Sequence, residues 1–197
     1  NTTQSYNTVA IILHWVTALL ILYMLIWGEG LIRDQNWSNP PIKAADPALH
    51  VSLGLLILIL TVARLAWRWM NPPPTDVPMP AWQATASHAL HWAFYAMLIL
   101  IPLTGVADLQ RVISGKHPEF ASLTFFNLFT MPHFSFPWFG DLHGLLTKLM
   151  SPLLSLHVVA ALTHQIIDRD KMINRLLHPY TFGIGTKTPV SNTNGLF

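Results

Sequence analysis

Four long stretches without a charged residue constrain this chain more than any other feature. They cover residues 1–28, 47–63, 77–107 and 149–167, and each contains most of the roughly 20 apolar residues that a membrane-spanning helix needs. Charged residues make up only 10% of the sequence, against roughly 25% in soluble domains. The sequence therefore predicts an all-α integral membrane protein, a four-helix bundle that forms a single domain over residues 1–197.

The four predicted helices cover residues 9–27, 48–70, 84–107 and 141–167. The first is predicted as a retained helix, because no basic residue precedes it and no small-residue cleavage site follows it, as a signal peptide would require. The connection over residues 108–140 is unusually long for a structureless loop in a compact domain, and we expect it to fold over one mouth of the bundle. Residues 168–197 form a polar tail.

Charge and cysteine content exclude several classes of protein. The net charge is +2 and the basic residues are scattered, so the chain lacks the basic stripe that nucleic-acid binding needs. The absence of cysteine excludes disulfides, iron–sulfur clusters and covalently attached haem. Both chain ends lie on the same side of a four-helix bundle, and the basic residues there lie close to helix ends, which favours cytoplasmic termini. Those residues are Arg64, Arg68, Arg169, Lys171 and Arg175.

Histidine is unusually frequent, and seven of the ten histidines lie within or at the ends of predicted spans. Ionisable residues inside a membrane are functional candidates. On the fourth predicted helix, His143 and His157 are 14 residues apart, which puts them on nearly one face and roughly 21 Å apart along the axis. That spacing suits two stacked cofactors. The seven are His14, His50, His88, His91, His143, His157 and His164.

Depth in the membrane predicts two histidine pairs. His50 and His143 begin their helices at the side opposite to the termini, while His14 and His157 lie toward the terminal side. Each pair would lie between facing helices, where bundles commonly hold cofactors. Because a haem needs only two axial imidazoles, the pairs His50–His143 and His14–His157 predict two non-covalent haems, one near each leaflet.

The residues one helical turn after each histidine support this choice of ligands. A helical side chain covers the turn before it, so the residue at i+4 crowds the space beside a ligand at i. After the four predicted ligands these neighbours are small, whereas after His88, His91 and His164 they are larger. The small ones are Ala18, Gly54, Thr147 and Ala161, and the larger ones are Trp92, Tyr95 and Asp168.

Two alternatives remain open at this point. A single histidine inside a membrane can simply bond to a neighbouring helix. Imidazoles also bind zinc and other transition metals, although the carboxylates and thiolates that usually complete such sites are missing from the spans. In either case the chain would be a non-haem transporter or a structural bundle.

The chain also resembles a known family, the bacterial cytochromes b561, which are diheme membrane cytochromes related to the cytochrome b subunits of hydrogenase and formate dehydrogenase. The resemblance covers nearly the whole chain and implies two haems b, axial ligation by His14, His50, His143 and His157, and a place in the bacterial inner membrane. The residues that carry it are Leu13 to Trp15, Leu49 to Gly54, Arg64 to Arg68, His88, His91, Gly105, Thr130 to Pro132, His143, Leu156 to His157 and Thr163 to His164.

The resemblance implies exchange of electrons with membrane quinone. Some members resemble superoxide oxidase, which takes an electron from superoxide at the periplasmic face and reduces ubiquinone; others anchor a redox enzyme in the membrane. The predicted function is therefore single-electron transfer between a periplasmic donor, with superoxide as a candidate, and ubiquinone or another quinone. The alternative is a membrane-anchor subunit of a larger dehydrogenase or hydrogenase.

Five further residues are assigned roles by hypothesis. His88, His91 and His164 are predicted to supply or relay protons to quinone, since imidazole titrates near physiological pH; bonding to haem propionates or capping a helix is the alternative. Arg64 and Arg68 are predicted to pair with haem propionates, because guanidinium binds carboxylate strongly. For these two, snorkelling to the membrane interface is the alternative.

Overall fold

Four long helices make up most of the structure, a computed structural model that describes residues 5–33, 47–109, 123–132, 134–169 and 173–177, with the backbone alone for residues 29–33. Each of the four is long and apolar enough to cross a membrane, which confirms the prediction of an all-α, four-helix membrane bundle. The helices are α1 (Thr8–Arg33), α2 (Pro47–Met70), α3 (Ala81–Ala107) and α4 (Pro137–Thr163).

The helices differ from their predicted bounds mainly at their ends. α1 continues beyond residue 27 to Arg33, and α3 begins at Ala81 rather than at residue 84. α4 begins at Pro137 rather than at residue 141, because a proline in the first turn starts a helix as readily as it ends one. At its other end, α4 passes into a π-helical turn, His164–Asp168. Lys171 and most of the predicted polar tail lie outside the described residues.

The bundle packs neighbouring helices in sequence order, α1 on α2, α2 on α3 and α3 on α4. Its central core is formed by Ile57, Met97, Leu98 and Met150. Many other large apolar side chains point away from the bundle and are more than half exposed, among them Leu19, Ile26, Val62 and Val159. A soluble monomer rarely exposes such extensive apolar surface, so this outer surface is suited to lipid.

The described chain ends meet at one end of the bundle. The short helix α5 (Asn174–Leu177) lies against the start of α1, where the backbone N–H of Tyr6 donates to the carbonyl of Arg175 at 3.2 Å and Trp15 Nε1 donates to the carbonyl of Leu176 at 3.2 Å. Arg175 also donates from Nη2 to the carbonyl of Thr75 at 2.8 Å. These contacts fix α5 to the α2–α3 connection as well as to α1.

A small β-hairpin lies at the opposite end, within the long connection between α3 and α4. Its strands, β1 (Thr124–Phe125) and β2 (Phe129–Thr130), pair antiparallel. The turn has positive φ at Phe126 (45°) and Asn127 (59°), and the N–H of Leu128 donates to the carbonyl of Phe125 at 2.8 Å. Two consecutive positive φ angles are typical of a type I′ hairpin turn.

The buried hydroxyl of Ser52 attaches this hairpin to α2. Ser52 Oγ accepts the N–H of Phe126 at 2.9 Å and donates to the carbonyl of Thr124 at 3.3 Å. Packing of Val51 on α2 against Leu123 and other apolar residues supports the attachment. The hairpin therefore lies against the first two turns of α2, close to His50.

Replacing Ser52 by alanine should loosen the hairpin, because it removes both hydrogen bonds to the hairpin backbone, each worth roughly 0.5–1.5 kcal/mol. Hydrogen–deuterium exchange of the peptide covering residues 123–132 should be faster in Ser52→Ala than in the unchanged protein. Ser155→Ala is a matched control, since Ser155 is exposed and bonds only to its own helix at Ser151. Equal exchange in both variants would show that Ser52 does not hold the hairpin.

Candidate functional site

His50 and His143 face each other at the hairpin end of the bundle. His50 lies in the first turn of α2 and His143 in the second turn of α4. Their ring centroids are 6.2 Å apart and the ring planes make an angle of 61°. The structure thus brings together two of the four predicted ligands, from two helices that are distant in sequence.

Both rings are oriented by a hydrogen bond from Nδ1 to a backbone carbonyl of another helix. His50 Nδ1 lies 2.9 Å from the carbonyl oxygen of Gly28 on α1, and His143 Nδ1 lies 2.8 Å from that of Ile101 on α3. A carbonyl accepts only, so in each ring Nδ1 carries the proton and Nε2 has a free lone pair. Nε2 of each ring is therefore available to a metal.

A glycine at position 105 makes room for the bond of His143, whereas the space at position 28 is less tight. The Cβ of an alanine at position 105 would lie 3.1 Å from Cε1 and Nδ1 of His143, and one at position 28 would lie 3.6 Å from the same atoms of His50. A helical side chain covers the turn before it, so the absence of one at Gly105 leaves the carbonyl of Ile101 open to His143. Gly54, one turn after His50, has no atom within 4 Å of where its Cβ would stand.

His157 and His14 lie toward the end of the bundle where the described chain ends meet. The ring of His157 contacts His91, with centroids 5.4 Å apart, and Phe94, with centroids 5.3 Å apart. His14 contacts the ring of Trp15 at 5.4 Å, and its buried Nδ1 has no hydrogen-bond partner among the described residues. The structure thus brings His157 into ring contact with His91 and not with His14.

The three histidines predicted to handle protons lie in different surroundings. His91 donates from Nδ1 to the carbonyl of Ser87 at 2.7 Å, and its ring contacts that of His157, a predicted ligand. His88 lies one turn further out, with Nε2 2.9 Å from the Asp76 carboxylate, and both side chains are about 60% exposed. His164 lies in the π-helical turn, with Nδ1 3.2 Å from the carboxylate of Asp168.

The two arginines predicted to bind propionates both lie near the end of α2. The guanidinium of Arg64 stands over the ring of Tyr95 at 5.6 Å, a cation–π contact that holds it against α3. Arg68 is exposed in the last turn of α2. In the part of the chain that the structure describes, no three histidine, aspartate or glutamate side chains are placed to hold a metal ion.

Sequence reasoning missed Gly28 and the carbonyl of Ile101 as parts of the site. Gly28 follows the last apolar residue of the first charge-free run, where a glycine usually indicates only the end of a helix. A backbone carbonyl has no sequence signal at all. Gly105 was noticed only through the family resemblance. The structure shows why a glycine is needed there: a Cβ would press on the ring of His143.

A bundle of four membrane-crossing helices with facing imidazoles in its interior defines a membrane cytochrome of the b type, because bundles hold cofactors between facing helices and histidines are common haem ligands. The family model for prokaryotic cytochrome b561 matches residues 5–179, and the chain belongs to this family. It is therefore a multi-pass membrane protein that uses b-type haem in electron transfer.

Curated relatives cover most of the chain. Cytochrome b561 homolog 2 of Escherichia coli is 28% identical over 90% of this chain and 93% of its own length. The probable superoxide oxidase CybB of Yersinia pestis is 27% identical over 88% of this chain and 96% of its own length. Cytochrome b562 of Cereibacter sphaeroides is 26% identical over 88% and 96%, respectively.

Replacing Gly105 by alanine should disturb haem binding more than replacing Gly28. The new Cβ would press on the His143 ring at 3.1 Å, whereas at position 28 the distance of 3.6 Å to His50 is an ordinary contact. We expect Gly105→Ala to lower the haem content of the purified protein and Gly28→Ala to retain it. Haem content per chain and reduced-minus-oxidised spectra measure the difference. Equal haem content in the two variants would contradict the steric argument.

Proposed function

We propose that this protein transfers single electrons across the membrane through two haems b, one bound by His50 and His143 and the other by His14 and His157. The electrons pass between a periplasmic donor and the quinone pool. The facing rings of His50 and His143 carry the proposal, because a haem iron could be held between them.

The distance between the two rings supports this assignment. A bond of about 2 Å from each imidazole nitrogen to a first-row metal places the centroids of two opposed rings roughly 6 Å apart, close to the observed 6.2 Å. Ligating histidines almost always donate their other ring N–H to a carbonyl or carboxylate, as His50 and His143 do. The open space at Gly54 leaves room for the edge of a flat macrocycle.

For the second pair, burial and small neighbours support the proposal. His14 has a buried ring nitrogen without a partner among the described residues, and a buried polar group needs a partner. Ala18 and Ala161 follow His14 and His157 by one turn and leave space beside each ring. Ring contact with Phe94 gives His157 an apolar wall.

The protein holds and insulates the haems that supply the redox chemistry. Held between His50 and His143 or between His14 and His157, a haem would supply one-electron transfer without an open position for oxygen. The apolar helices keep water from the ligands, and the carbonyls of Gly28 and Ile101 hold His50 and His143 in one tautomer. Arg64 and Arg68 offer positive charge to haem propionates near the end of α2.

The donor and acceptor are proposed from the family. The relative named as a probable superoxide oxidase supports superoxide as the donor, and ubiquinone or another quinone is proposed as the acceptor in the bacterial inner membrane, with both termini cytoplasmic. A membrane-anchor subunit of a larger enzyme is the alternative. The purified chain alone should reduce quinone with superoxide; inactivity without a partner protein would favour the anchor.

Replacing the four proposed ligands one at a time should show which ligands belong to which haem signal. His50→Ala and His143→Ala should each remove the same haem signal, and the double variant should lose no more than either one. His14→Ala and His157→Ala should remove the other signal. Haem content and low-temperature difference spectra measure these losses, with the exposed His88→Ala as control. Retention of both haems in His50→Ala and His157→Ala would refute the assignment.

We propose that His88, which lies beside the Asp76 carboxylate, takes up protons from water. His91 then passes them toward quinone. The i,i+3 spacing places these histidines side by side on α3. His164, beside Asp168, is proposed as a further entry point at the same end.

Replacing His91 or His88 by glutamine should slow quinone reduction, because glutamine does not titrate, while haem content and spectra stay unchanged. The rate at which quinone reoxidises the pre-reduced haems measures the effect. Thr85→Ala is the control on the same helix, since Thr85 is exposed and bonds only to Ala81. A rate equal to that of the control would remove these histidines from the mechanism.

A further inference from the structure

The connection before α4 contains a segment without charge. Residues 123–140 include no Asp, Glu, Lys or Arg, and they are rich in phenylalanine. Although they connect two helices, several of their large apolar side chains are exposed, most of all Leu128 at the hairpin turn, which is 75% exposed. The others are Phe126, Phe129, Phe134, Phe136 and Trp138. We call residues 124–130 and 134–139 the aromatic segment.

The hairpin of the aromatic segment lies beside α2 and not beyond its end. Its hairpin bonds to Ser52, five residues into α2 and thus roughly 7.5 Å along the axis from its first residue. α2 has 24 residues, a length of roughly 36 Å, which exceeds the roughly 30 Å of the hydrocarbon core. In a membrane centred on α2, Ser52 would lie about 5 Å inside the edge of the hydrocarbon core, so the hairpin would lie close to the boundary between headgroups and acyl chains.

The structure presents the hairpin turn in a fixed position. Phe126 has a left-handed backbone (φ 45°), which is unfavourable for a bulky residue, and the hydroxyl of Ser52 holds its N–H there. The later part is attached to α3, where the N–H of Phe136 donates to the carbonyl of Ala107 at 3.2 Å. Leu128 is therefore exposed on a turn whose backbone is held in place.

We propose that the aromatic segment is an interfacial membrane anchor, inserted at the headgroup boundary of the leaflet nearest to His50 and His143. Aromatic side chains are enriched at this depth, and an uncharged apolar surface that continues the lipid-facing surface of the helices suits lipid. The described part of this segment contains no charged side chain, as contact with acyl chains requires. Inserted in this way, the anchor lies between the lipid and the side of α2 beside His50.

Spin labels measure this insertion directly, because the chain has no native cysteine. The haem-loaded full-length protein is labelled at Leu128→Cys or, separately, at Phe129→Cys, and reconstituted in bilayers of phosphatidylethanolamine and phosphatidylglycerol. Leu19→Cys, in the lipid-facing part of α1, is the lipid reference. Thr75→Cys, exposed in the α2–α3 connection, is the water reference. Collisions with oxygen report lipid, and collisions with a water-soluble nickel chelate report water.

Labels at 128 and 129 should collide more with oxygen than with the nickel chelate, with a ratio between those of the two references. A ratio equal to that of Thr75→Cys at both positions would overturn the proposal and leave a surface open to water or to a partner protein. The outcome does not depend on which histidines bind haem, so failure of the ligand assignment and failure of the anchor are distinguishable. Unchanged haem spectra confirm that each labelled protein is folded.

Discussion

An imidazole inside an apolar bundle must find its hydrogen-bond partner within the protein, because the surrounding lipid offers none. His50 and His143 meet this requirement in the same way, each through a carbonyl of the neighbouring helix. The bond fixes the tautomer and the direction of the ring at once. It also requires two helices to approach closely, and for His143 the glycine at position 105 permits that approach.

The two ends of the bundle meet this requirement differently. At the hairpin end, two histidines face each other and each is oriented by a carbonyl. At the other end, His157 packs against His91 and Phe94, and His91 is oriented by the carbonyl of Ser87. The described chain ends, Arg64 and the exposed His88 lie at that end, so it combines imidazoles, positive charge and contact with water. Such a combination suits a reaction that couples electrons to protons.

The hairpin end is closed by polar bonds in an otherwise apolar region. Ser52 offers both a donor and an acceptor to the hairpin backbone. The first turns of α2 therefore position both His50 and the hairpin. A connection that would otherwise leave peptide groups unpaired near the lipid is thereby satisfied.

Much of this architecture could be predicted from the sequence, because both the span length and the depth of a residue along a helix follow from regular geometry. The charge-free runs predicted four spanning helices, and depth predicted that His50 and His143 would lie at the same level. The start of α4 at Pro137 and the hairpin at Thr124–Thr130 were not predicted, since proline and phenylalanine occur in both helices and loops. A turn with Phe126 in a left-handed conformation has no sequence signal, because its N–H bonds to Ser52, which is 74 residues away in the chain.

The sequence by itself determined that lipid surrounds the helices, how many helices span it and at what depth each histidine lies along its helix. Each of these depends on residues close together in the chain. Only the tertiary structure decided which ring nitrogen is free, which carbonyl orients each ring and which side chain contacts His157. Those features depend on pairs such as Gly28 with His50 and Ile101 with His143, which come together only when separate helices pack.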